Sequence, residues 1–174
     1  MNWLHNLVVK SGAIIIHLTP PVFDERKGMA YANVLDIYSD WLISCRYTSA
    51  WEVIDIHWPM RKYLEEKRTI DSTFVLAADG VHPGETGHWI ISREILKYLG
   101  ENNLMQKGNI HNVFNAFPNG EAVLKLIKER QDVMKDAWLN ATGHNRPEMN
   151  PGVSLSEAER KALETELKIR ELLK

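Results

Sequence analysis

One cysteine, Cys45, stands in 174 residues. That excludes an internal disulfide and a thiolate metal cluster. Cys45 lies in an apolar helical pattern, so it is read as a small buried hydrophobe. Nothing in the chain approaches the roughly 18 consecutive apolar residues of a membrane span. No basic block stands out, and a net charge of -2 gives no electrostatic case for nucleic acid. The N-terminus has no basic region followed by an apolar stretch and a small-residue cleavage site. No signal peptide is therefore read in the chain, and a secreted or periplasmic location would require a longer natural N-terminus. A Gly-x-Ser-x-Gly elbow is also missing; Gly152-Val153-Ser154-Leu155-Ser156 lacks the closing glycine.

What is present is the balance of an ordinary globular protein, 44% hydrophobic and 25% charged. The length leaves room for one domain with a sizeable core and an appendage. Residues 2–10 place Leu4, Leu7 and Val8 on one helical face, closed by Ser11-Gly12. Ala13 to Leu18 is a continuous apolar, β-branched run broken only by His17. It predicts a central strand covered on both faces, stopped by Thr19-Pro20-Pro21. His17 reads as a core or strand-end residue. Pro20 to Met29 then leaves the C-terminal end of that strand, where open α/β sheets hold ligands, and is expected to form a substrate wall.

Tyr31 to Arg46 carries apolar residues at 34, 35, 38, 41, 42 and 45, a helical stripe. Trp51 to His57 predicts a second strand, and Pro59-Met60 opens a helix to about Lys67. In an extended strand Asp55 and His57 share a face, as metal ligands or as a hydrogen-bonded structural pair. Thr73 to Ala77 predicts a third buried strand. Residues 101–119 read as a connection or short helix, and residues 120–140 resume a helical stripe. Beyond the turn-forming segment Thr142 to Gly152, Ser154 or Ser156 caps a charged helix whose narrow stripe is Leu155, Ala158, Ala162, Leu163 and Leu167.

The chain is organised around Asp79-Gly80-Val81-His82-Pro83-Gly84-Glu85-Thr86-Gly87-His88. An acid and an imidazole three apart sit between a predicted strand and a predicted helix starting near Trp89. Rigid elements on either side aim such a loop. A carboxylate there can hold one ring nitrogen of His82 and leave the other free as a base. In the plainer reading of the same residues, Asp79 starts a turn and His82-Pro83 starts the helix. His57, Asp79, His82 and His88 are metal-ligand types without a matched spacing, so neither a metal nor another cofactor is expected.

Together, the strand ending Leu18-Thr19-Pro20-Pro21, the strand Val53-Ile54-Asp55-Ile56, and Asp79-Gly80-Val81-His82-Pro83 followed by Gly87-His88 resemble the C-terminal half of the SGNH (GDSL-type) esterase and lipase family. The resemblance covers roughly residues 1–100. It implies a partial three-layer α/β/α, flavodoxin-like fold with parallel strands and a helical C-terminal extension. The expected division is residues 1–100 as the half-domain and 101–174 as extension and tail. The resemblance implies His82 as the general base and Asp79 as the carboxylate that orients it, two members of a Ser-His-Asp triad. Substrates would be acyl or acetyl esters. Thr142 to Gly152 with its following helix resembles a tail carried by some bacterial members that act on carbohydrate esters.

The family's Gly-Asp-Ser block and its oxyanion-hole Gly and Asn blocks are not in this sequence. Asp71-Ser72 follows Ile70 and precedes the predicted third strand, outside the nucleophile's context. The chain therefore reads as the back half of such an enzyme, beginning at Met1 through truncation, a displaced start codon or gene decay. The alternative is an inactive remnant or interaction module. Missing strands would expose a hydrophobic sheet edge, so a homo-oligomer or another edge-pairing partner is expected.

Overall fold

The computed structural model describes residues 1–145, 147 and 149–174. Arg146 and Glu148, two positions of the Thr142 to Gly152 segment, lie outside the described residues. The chain forms two compact units, Met1–Gln106 and Lys107–Lys174. The first is mixed α/β and mostly helical. It runs α1 (Asn2–Lys10), β1 (Ile16–Leu18), a 3-10 turn (Glu25–Lys27), α2 (Met29–Thr48), β2 (Glu52–Ile54), α3 (His57–Arg68), α4 (Glu85–Tyr98) and a second 3-10 turn (Asn102–Gln106).

β1 and β2 pair in parallel with Ile16 opposite Glu52, His17 opposite Val53 and Leu18 opposite Ile54. The ladder is short at both ends for local reasons. Before Glu52 the backbone turns at Ala50, φ 52°, and Trp51 N–H donates back to the Cys45 carbonyl of α2, so Ala13 to Ile15 have no opposite residues. Beyond Ile54, the buried Thr19 hydroxyl accepts from the N–H groups of Ile56 and His57 at 2.8 and 2.9 Å, and donates to Asp55 at 3.1 Å. Asp55 also accepts from Trp58 N–H. The predicted strand through His57 thus ends at Ile54, and His57 opens α3. Asp55 and His57 share no strand face.

Alternation sends Val53 into a buried cluster with Leu42 and Cys45 of α2 and with Trp51. Glu52, on the opposite face, accepts from the Tyr98 hydroxyl of α4 at 2.8 Å. Helices therefore lie on either side of β2. β1 is not covered in the same way: Ile16 and Leu18 remain 38% and 39% exposed, and only His17 points inward. The expectation of a strand buried on both faces fails for β1.

No strand forms at Thr73 to Ala77. The carbonyls that a ladder would use are bound elsewhere: Ser72 to Arg26, Phe74 to both Arg26 and Arg68, and Leu76 to Gly84 N–H. Hydrophobic burial still holds the segment, because Leu76 joins Val22, Met60, Leu64 and Ile90 in the second core cluster. What pattern alone reads as a strand is here an irregular strap, entered by a turn at Asp71 and fixed by arginines.

Those arginines converge on Asp24. Its carboxylate receives Arg68 at 2.7 Å and Arg26 at 3.0 Å, while Arg68 also binds Glu25 at 2.8 Å. Burial raises the Asp24 pKa, but the hydrogen bonds from Arg26 and Arg68 outweigh it and hold the carboxyl at about 2.

The second unit contains α5 (Ile110–Phe114), α6 (Gly120–Ala141) and α7 (Leu155–Leu172). α6 and α7 form an antiparallel hairpin: Asn119, at the start of α6, donates to the Leu172 carbonyl at the end of α7. Val123 and Ala137 are buried on α6, and Ala158, Ala162 and Ile169 on α7. Gly152 permits the close approach of the intervening loop, since a Cβ there would fall 2.3 Å from the Asp136 carbonyl oxygen. Ser154 is the serine that caps α7, accepting from Glu157 N–H. Leu163 and Leu167, expected in the docking stripe, are exposed instead; the hairpin face turns through Ala158, Ala162 and Ile169.

Asp24→Asn should lower stability by about 2 kcal/mol at neutral pH. The sign follows from a depressed carboxyl pKa: the stabilisation is full above the ordinary carboxylate pKa and disappears as pH falls from about 4 to about 2. Urea melts of wild type and Asp24→Asn should therefore converge over that window.

Candidate functional site

The Asp79 to Pro83 turn follows directly from its sequence. Gly80 adopts φ +87°, where a Cβ would meet the Lys27 Cδ at 2.8 Å and the Phe23 ring at 3.4 Å. The turn is thereby packed onto the Phe23 to Lys27 segment, and Asp24 N–H donates to the Gly80 carbonyl. On its other side, the Gly84 N–H to Leu76 carbonyl bond, 2.8 Å, fixes the entry to α4. Gly87 lets Pro83 and Met60 close on the first turn of that helix.

Asp79 uses both carboxylate oxygens. One accepts from the N–H groups of Val81 and His82, each at 2.9 Å, and the other lies 2.6 Å from His82 Nδ1. The hydrogen bond from the His82 ring, followed by the two backbone N–H groups, holds the Asp79 carboxyl well below the usual carboxylate range. Asp79 makes the turn, and the turn delivers its carboxylate to His82. The helix, however, starts neither at His82-Pro83 nor near Trp89: it opens at Glu85 with Gly84 as its N-cap. Nδ1 is engaged and Nε2 is left outward on a side chain that is 85% exposed. Chemically, this is an oriented imidazole with one nitrogen able to take and return a proton. Among the described residues, no serine or threonine hydroxyl is hydrogen-bonded to His82.

The other candidates lie apart. His57 is fully buried, with its ring nitrogens 3.1 Å from the Pro20 carbonyl oxygen and 2.8 Å from Asp36. Both partners are acceptors, so neither nitrogen is free for a metal or for base chemistry. His88 is exposed on α4. No group of three His, Cys, Asp or Glu side chains among the described residues is arranged to hold a metal ion. No helix among them is long and apolar enough to cross a membrane.

Sequence reading missed the Asp36–His57 pair. Asp36 also takes Arg61 at 2.7 Å. Burial raises its pKa, yet the hydrogen bonds from Arg61 and His57 prevail and lower it. The signal was a small and polar face on α2, with Ala32 and Ser39 buried one turn to either side of Asp36. A groove of about 660 Å³ between α3 and α4, lined by Asp55, Trp58, Arg61, Arg93, Glu94 and Lys97 among others, includes neither Asp79 nor His82.

Gly80→Ala should cost about 1–2 kcal/mol, because it forces a Cβ into left-handed backbone and onto Lys27. Thermal unfolding measures the loss. Carboxyl NMR should show Asp79 titrating below the usual carboxylate range in wild type and moving toward the ordinary value in Gly80→Ala, as the turn that aligns its donors loosens.

Comparison with protein-family models, curated proteins and solved structures gives no match to this chain.

Proposed function

We propose that this chain carries the acid–base half of a carboxylic-ester hydrolase of the SGNH type. The observation that carries the reading is the 2.6 Å bond that His82 Nδ1 makes to the Asp79 carboxylate, with Nε2 left open. In this reading His82 takes the proton of an attacking serine and returns it to the leaving alcohol. Asp79 orients the ring and stabilises its charged form. Substrates are acyl or acetyl esters, including esters on carbohydrate. The serine of the triad is not in this chain and is brought to His82 by a partner segment. The fold implied is part of a three-layer α/β/α, flavodoxin-like arrangement; α2 and α4 on opposite sides of β2 support it.

A second reading, a non-catalytic interaction module, is favoured by one observation: His82 opens to water, and no hydroxyl among the described residues is bound to it. The unpaired outer edge of β1 suits either reading as the place where a second copy pairs. Between Lys10 and Asp24 there is no Asp, Glu, Lys or Arg, and Ile14 is 89% exposed. Two such edges meet without like-charge repulsion, antiparallel about a two-fold axis at His17.

Fluorophosphonate labelling of a serine-bearing partner segment, read by intact mass with and without this chain, decides between the readings. An adduct that forms only when this chain is present supports the hydrolase half, and no such dependence supports the interaction module. The purified chain alone should show no adduct and little turnover of a chromogenic acetate ester. Any turnover, alone or with a serine-bearing partner, should be abolished in His82→Ala, with stability changed by less than about 0.5 kcal/mol. Unchanged turnover in that variant overturns the site assignment. Ile16→Lys should shift sedimentation from dimer to monomer, whereas a wild-type chain that sediments as a monomer overturns the edge pairing.

A further inference from the structure

α1 has no buried residue. Its half-buried positions are His5 and Val8, so its attachment to the sheet rests largely on what His5 touches. His5 Nδ1 lies 2.9 Å from Nε2 of His17, the inward-facing residue of β1. The two ring centres are 5.2 Å apart with planes 17° from parallel. With the bonded nitrogens so close, the rings lie end to end in nearly one plane. The Trp51 indole lies flat against both, 4.3 Å from His5 and 4.5 Å from His17.

We propose that His5 and His17, resting on Trp51, form a proton-operated latch that fastens α1 to the sheet and releases it on acidification. In the neutral pair one ring donates its N–H and the other accepts. A first proton, added to the far nitrogen of the donor ring, leaves that bond intact and charge-assisted, with the cation lying over the indole face. A second proton can only go onto the accepting nitrogen. Two N–H groups then point at each other across 2.9 Å, the hydrogen bond is lost and two like charges face each other.

The surroundings supply no counter-charge. On α1 the one charged residue besides His5 is Lys10, a cation. β1 has no charged residue apart from His17 itself. On β2, Glu52 lies on the opposite face, bound to Tyr98. On α2, Arg46 is bound to the Val53 carbonyl and Asp40 to the Trp58 indole. Burial, and then the charge of His5, lower the His17 pKa. A histidine shifted in this direction contributes stability that is complete above its unfolded value of about 6.5 and is lost as pH falls below it. Once released, a helix of nine residues is too short to persist in water.

Hydrogen exchange of the full chain, corrected for the intrinsic pH dependence of exchange, tests the latch. Between about pH 7.5 and about pH 5, protection of the α1 amides should fall by about tenfold or more, while that of α2 stays constant. His17→Gln places a non-titrating amide where Nε2 stood and should keep α1 protected at both pH values. His5→Phe keeps the stack on Trp51 without the bond and should show low, pH-independent protection of α1. A wild-type α1 whose protection does not change with pH overturns the proposal. So does an equal acid-induced loss in wild type and His17→Gln.

Discussion

Asp24 sits almost out of contact with water between two arginines, and the architecture of the first unit depends on that arrangement. Removing a carboxylate from water is costly, and the cost is offset here because Arg26 and Arg68 satisfy both oxygens at hydrogen-bond distance. The same guanidiniums also bind the Ser72 and Phe74 carbonyls. One carboxylate therefore ties the loop after β1 to the end of α3 and to the strap before Asp79. Because Asp24 N–H reaches the Gly80 carbonyl, this network also seats the turn that carries the candidate site.

The two Asp–His pairs of this unit show how environment separates roles. Asp36 and His57 are bonded at 2.8 Å, but His57 is buried with an acceptor on each nitrogen, and Arg61 shares the carboxylate. That pair joins α2 to α3 and has no open valence for chemistry. Asp79 and His82 are bonded as closely, yet one imidazole nitrogen faces solvent. An exposed pair contributes little to stability, so its geometry matters through orientation. The oriented ring is what the proposed acid–base role uses, and a hydroxyl brought alongside Nε2 is what such a ring would act upon.

The sheet presents the opposite situation. β2 has helices against both faces, while β1 keeps an unpaired edge and exposed apolar side chains. Its one inward residue, His17, meets His5 and Trp51 in place of a purely aliphatic core. Polar, titratable packing under a short helix couples the attachment of α1 to protons. An aliphatic contact at the same place would be insensitive to pH.

Local chemistry alone was enough for several features. Ser11-Gly12 ends α1, the long stripe gives α2, Cys45 is buried, a serine at 154 or 156 caps α7, and Asp79-Gly80-Val81-His82 makes a turn that presents the histidine. Each depends on residues within one or two turns of chain, where spacing and capping act directly. What sequence could not supply were partners distant along the chain. Phe74 to Ala77 has a strand's pattern but gives its carbonyls to arginines from residues 26 and 68. His57 takes Asp36 rather than the nearer Asp55, because Thr19 and Trp58 claim Asp55 at the end of the ladder. Of the predicted stripe on α7, Ala158 and Ala162 are buried, but Leu163 and Leu167 are not, and Ile169 takes their place on the packed face. Periodicity states which residues can be buried; the competition among hydrogen-bond partners and packing faces, settled only in three dimensions, decides which of them are.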